Sequence, residues 1–143
     1  MAGRLAAAVL AAGTVLAAPA SAQGVFDSGW RQIAASDLPD LELVGSGVRI
    51  NNLVVTPEPG AAGKPIATHV FSASGLKREA GRRAARVELV GVGEDGRPTV
   101  VSVVAINFAR EQPNATGSDT HRFAAFPADI AATKGYWVRM VVQ

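Results

Sequence analysis

The stretch Val87–Val101 reads VELVGVGEDGRPTVV, and two incompatible folds compete for it. GVGEDG (Gly91–Gly96) is a literal G-x-G-x-x-G placed directly after a strand-like run, the arrangement of a dinucleotide-binding fold. That fingerprint works because its glycines admit a pyrophosphate to the backbone and a following helix aims its amide-rich end at the charge. Here Arg97-Pro98 and then TVVSVVAINF follow, with strand composition and no helix signal. Glu94 and Asp95 would also set negative side chains where the phosphates belong. Asp95-Gly96 between two apolar runs is instead a hairpin signal, because glycine readily takes the positive φ such turns need. The motif reads as a glycine-rich turn, and no nucleotide or other cofactor is expected.

Outward from this hairpin, the apolar residues come in short runs rich in Val, Ile and Phe. VRINNLVV (Val48–Val55) alternates and then shifts phase at Asn51-Asn52, as a strand with a bulge does. PIATHVFSA (Pro65–Ala73) sets Ile66, Thr68 and Val70 on one face and Ala67, His69 and Phe71 on the other. ARVELVGV (Ala85–Val92), PTVVSVVAINF (Pro98–Phe108), THRFAAF (Thr120–Phe126) and YWVRMVV (Tyr136–Val142) follow, and LELV (Leu41–Val44) is a short first strand. That makes about seven strands, punctuated as in a sandwich or small barrel. The helix candidates are short: PADIAATKG (Pro127–Gly135) and RQIAASD (Arg31–Asp37). Without long helices there are no crossover connections for parallel strands, so the sheets are expected to be antiparallel. The preceding QGVFDSGW has little periodicity, and its Phe26 and Trp30 are expected to dock on the core. Of the adjacent Tyr136 and Trp137, one ring should be core and the other half exposed, since neighbouring strand residues face opposite ways.

The N-terminus has the three parts of a secretory signal peptide: a basic MAGR, an apolar LAAAVLAAGTVLAA, and an A-x-A site ending at Ala22. The apolar part is shorter than the roughly 20 residues of a bilayer span. Cleavage after Ala22 leaves 121 of the 143 residues as one domain, 23–143, exported to the periplasm or the cell exterior and not membrane-spanning. The absence of cysteine excludes disulfides, thiol catalysis and cysteine-ligated metal sites. The fold class is therefore all-β: an antiparallel β-sandwich, immunoglobulin-like in strand count and size.

Charge is uneven along the chain. LKREAGRRAAR (Leu76–Arg86) carries Lys77, Arg78, Arg82, Arg83 and Arg86 against Glu79, while the rest of the mature chain has 8 basic and 11 acidic residues. Gly81 interrupts the segment, so a loop over Ser74–Ala84 is expected. AREQPNATGSD (Ala109–Asp119) is the longest polar gap and reads as a second, long loop. If successive strands run antiparallel, both connections emerge at the same end. Arg78, Arg82, Arg83, Arg110, Asn114, Asp119 and His121 would then share one polar surface, suited to an anionic polysaccharide, lipid head group or acidic protein. Nucleic acid fits poorly, because no aromatic residues interleave with the charges to stack bases.

The residue types allow two other chemistries. Asp119 and His121 are two apart and would share a strand face, with His69 as a further metal ligand if its strand is adjacent, but a structural zinc site needs about four. Ser118-Asp119-Thr120-His121 holds the residue types of a hydrolase without a nucleophile elbow. The reading adopted is a non-catalytic binding or accessory domain acting through loops at one end or through a strand edge. The alternative is a periplasmic metal-binding protein, and a hydrolase comes third.

Overall fold

A computed structural model describes residues 24–60 and 62–143; the expected leader, residues 1–22, lies outside the described residues. The strands are β1 (Phe26–Asp27), β2 (Arg31–Ala34), β3 (Leu43–Gly45), β4 (Val48–Pro57), β5 (Ala67–Lys77), β6 (Arg83–Gly93), β7 (Pro98–Phe108), β8 (Ala115–Ala125) and β9 (Thr133–Val142). A 3₁₀ turn covers Ala35–Asp40 and one short helix, α1, covers Pro127–Ala132. One sheet has the order β1-β9-β6-β7, with β2 also on β9, and the other has the order β3-β4-β5-β8. Every pairing is antiparallel. The expected all-β, two-layer, antiparallel architecture is what forms, with nine strands among the described residues in place of about seven, because β1 and β2 add to the edge of β9 ahead of the expected first strand.

The hairpin that decides the fold is β6–β7. Val90 pairs with Val101 and Leu89 with Ser102, and the ladder runs from Arg83↔Phe108 up to the turn. The turn closes through Gly93 N–H to Arg97 O (2.9 Å) and Gly96 N–H to Gly93 O (3.0 Å), with Gly96 at φ +76°. The Asp95 carboxylate accepts the Arg97 amide at 3.1 Å. The acid that argued against a phosphate site thus stabilises the turn itself. Inward residues alternate along each strand: Val87 and Leu89 on β6, Val104, Ile106 and Phe108 on β7, Val138 and Met140 on β9. They pack against Ile50, Leu53 and Phe71 of the opposite sheet, all fully buried.

The bulge in β4 falls where the phase shift placed it. Register slips between Asn51 and Val54, Asn52 adopts φ +52°, and its side-chain amide bonds Ser74 Oγ at 2.9 Å. The slip moves the inward set from Val48 and Ile50 to Leu53.

Other expectations need correcting. RQIAASD is helical only from Ala35, where the 3₁₀ turn begins: Arg31–Ala34 pairs with Val138–Gly135 of β9, so an available sheet edge overrides local propensity. Ser74–Lys77 belongs to β5 and Arg83–Ala84 to β6, which shrinks the basic loop to residues 78–82. Ala115–Asp119 belongs to β8, so the second loop is residues 109–114, within the usual range of connections. Trp30 is not core; it is 45% exposed, whereas Phe26 does pack on the core. Tyr136 is buried and Trp137 is 38% exposed, as their alternation required.

Candidate functional site: the loop end of the sandwich

β5 passes to β6, and β7 to β8, at the same end, and the two connections touch. The Gly81 amide donates to Glu111 O at 2.7 Å, and Arg82 Nε lies 3.6 Å from the Glu111 carboxylate. The β3–β4 turn joins them, since Arg78 N–H donates to Gly47 O at 2.9 Å. At the core side of this end sits Lys77, the last residue of β5 and fully buried. Its ammonium donates to the carbonyl of Gly81 in one loop and to that of Arg110 in the other. One buried cation therefore clasps both loops through their backbones.

Arg78, Arg82, Arg110 and Asn114 are exposed here and Arg83 is half-buried, with Glu79 and Glu111 as the neighbouring acids. Asn114 takes φ +58°, the left-handed geometry Asn tolerates, to turn the chain into β8. Arg83 Nη1 donates to Arg82 O at 3.0 Å, which holds its guanidinium along the loop. An open recess of about 380 Å³ lies between Arg82, Arg83, Asn107, Phe108 and Gln143. Phe108 reaches this end because glycines oppose it: a Cβ on Gly75 would come within 3.1 Å of its ring, and one on Gly117 within 3.3 Å. Five of the seven proposed contact residues thus meet at one end.

Asp119 and His121 do not join them. They lie further along β8, opposite Ala73 and Phe71 of β5, with their side chains turned toward β7. Asp119 Oδ2 accepts the Ala105 amide at 2.8 Å, and His121 Nδ1 lies 2.8 Å from Ser102 Oγ. β7 and β8 are the last strands of their sheets, and these two contacts bridge the open side of the sandwich. Asp119 occupies an edge amide that would otherwise be available for pairing with another strand. His69 is buried against the ring of Phe123 (5.9 Å), with Nδ1 3.2 Å from Ala67 O. Phe123 also stacks on His121, at 6.4 Å. Among the described residues no group of three His, Asp or Glu side chains is placed to hold a metal.

The serine that meets His121 is Ser102, not Ser118. The pair has the spacing of a nucleophile and its base. However, Ser102 is 3% exposed, and the carboxylate of Asp119, the acid two residues from the histidine, is engaged by Ala105 rather than by the imidazole. The pair reads as a bridge between sheets. Compared with family models, curated proteins and solved structures, the chain matches none.

Sequence reasoning missed Lys77 as a clasp and Ser102 as a partner of His121. Lys77 did carry a signal: it continues the inward parity of Phe71, Ala73 and Gly75. Reading it required knowing that β5 extends to residue 77.

Proposed function

We propose that this chain is an exported, non-catalytic binding module. Its loop end would present Arg78, Arg82, Arg83 and Arg110 to an anionic macromolecule in the periplasm or outside the cell. The observation that carries this reading is the clasp. Lys77 and the Gly81–Glu111 hydrogen bond tie the two arginine-bearing loops into one preorganised surface, which lowers the ordering cost of binding. The pairing of β5 with β8 in one sheet and β6 with β9 in the other supports an immunoglobulin-like reading, a fold whose loops at one end commonly bind. A strand-edge mode at β7 is disfavoured, because Asp119 already holds the Ala105 amide.

The partner's chemistry is polyanionic: a sulfated or uronic polysaccharide, a phosphate head group, or an acidic protein face. Retention on heparin resin tests it. The double variant Arg82→Ala/Arg83→Ala should elute at clearly lower salt than the wild type, while Arg97→Ala, at the opposite hairpin, should elute unchanged. Equal elution of all three would reject the basic end as the contact.

A further inference from the structure

On the outer face of the β9-β6-β7 sheet, large apolar side chains gather in water. Both tryptophans of the chain lie on it, with Val101 (67% exposed) and the half-exposed Val103. Paired residues share a face, so the registers lay out a grid. One level reads Gln32–Trp137–Val90–Val101 across β2, β9, β6 and β7. The next reads Arg139–Glu88–Val103, with the Trp30 ring 5.8 Å from the Arg139 guanidinium. A third reads Asp27–Val141–Arg86–Ala105. Trp30, Val90 and Trp137 line an apolar cleft between the first two levels. Contiguous exposed apolar surface of this kind marks an interaction site.

The charges on the face identify the occupant. Asp27, Arg139, Glu88 and Arg86 form a chain of alternating sign: Arg139 pairs with Asp27 and lies 3.7 Å from Glu88, which lies 2.6 Å from Arg86. Two acids and two bases leave no net charge to attract an acidic or a basic partner. They do make the face complementary to itself. A two-fold axis along the strands, between β9 and β6, carries Arg139 onto Glu88 of a second copy and Glu88 onto its Arg139. The same axis lays the bulky flank, Trp30 and Trp137, over the small flank, Val103 and Val90. Charge and shape are satisfied by one operation, and β7 contributes no charged residue that would meet its like. Strands crossing at a shallow angle is also the usual geometry of aligned sheet packing.

We infer that a second copy of this chain covers this face, in an isologous pair built on Trp30, Trp137, Val101 and the Arg139–Glu88 pair. Tryptophan and arginine at the centre are the residue types that carry most interface energy. This inference is independent of the basic end, which lies elsewhere on the molecule.

Sedimentation velocity over about a hundredfold range of concentration tests it. The wild type should shift from monomer to twice the monomer mass. Trp30→Ala and Val101→Lys, both at exposed positions, should each weaken association about tenfold or more, with far-ultraviolet spectra and melting curves confirming that they fold. Two variants are used so that misfolding of one still leaves a test. A wild type monomeric throughout the range overturns the inference and assigns the face to a different molecule. Variants that associate as tightly as the wild type overturn it too, by placing the interface elsewhere.

Discussion

At the scale of single residues, Lys77 shows how an inside position can be filled by a charge for a reason other than ion pairing. A strand that ends a sandwich must either stop or leave its last inward side chain facing loop backbone. Lysine fits because its stem packs as a hydrocarbon and its ammonium reaches the carbonyls of two loops. Lys77→Met keeps most of the volume and removes both donors. The expected loss is about 1–3 kcal/mol, the usual worth of hydrogen bonds made by a charged donor, read from the urea midpoint. Amide exchange at Gly81, which donates to Glu111 O, should quicken at the same time. If Lys77→Met is as stable as the wild type with unchanged exchange, the ammonium is not the clasp, and the preorganisation argument for the basic end goes with it.

At the scale of elements, what was legible in the sequence follows from how each strand is buried. β6, β7 and β9 each bury a face fully in the core, so their apolar alternation is strong and their extents were close to right. β8 is an edge strand, mostly exposed, and its polar first half ATGSD was indistinguishable from a loop. β2 was misread because four residues say nothing of the edge they will pair with; β9 supplies that edge from more than 100 residues away. The site suffered the same fate. The shared end followed from antiparallel connectivity alone, whereas the separation of Asp119 and His121 from it depended on where β8 begins.

β1 brings a further expectation at this scale. Its two residues pair with β9, and Asp27 is tied there by Arg139 and by the Gly29 amide at 2.9 Å. The Arg139 hydrogen bond, then the Gly29 amide, hold the Asp27 carboxyl below its ordinary value. A lowered folded pKa means the ionised form is favoured by folding. The stabilisation is therefore complete above the ordinary aspartate range and lost as pH falls through the lowered value. Acidification should release β1 before the main sheets. Because Trp30 stacks on the same Arg139, its fluorescence should change in step with exchange at Asp27, and Asp27→Asn should abolish that acid transition. A transition that survives in Asp27→Asn would assign it to another group.

At the scale of the whole molecule, the N-terminal strands finish a sheet that the rest of the chain leaves open. β9 pairs with β6 on one side, and without β1 and β2 its other side would be a bare edge. That edge reads TKGYWVRMVV, apolar and β-branched along most of its length, the composition that invites pairing with a neighbouring chain. The β2 ladder Arg31–Ala34 and the Ser28 hydrogen bonds to Met140 (2.9 Å from its amide to Met140 O, 2.8 Å from the Met140 amide to Ser28 Oγ) close it instead. Phe26 and Ile33 also pack on the core from this side. A chain beginning at Ala35 loses all of these together. Several backbone hydrogen bonds at about 1 kcal/mol net each, with two partly buried apolar side chains, put the expected loss on the order of 3–5 kcal/mol. The truncated chain should unfold at clearly lower urea, and light scattering should rise at concentrations where the intact chain stays clear. Adding Val138→Lys would not serve as a control, since that side chain is core. Arg31→Lys in the intact chain would, because it leaves the edge closed, keeps the charge and lies off the Trp137 face, and it should change neither readout. An unmoved urea midpoint after truncation would mean that β9 needs no cover, and that the first strands are ornament to a sandwich complete without them.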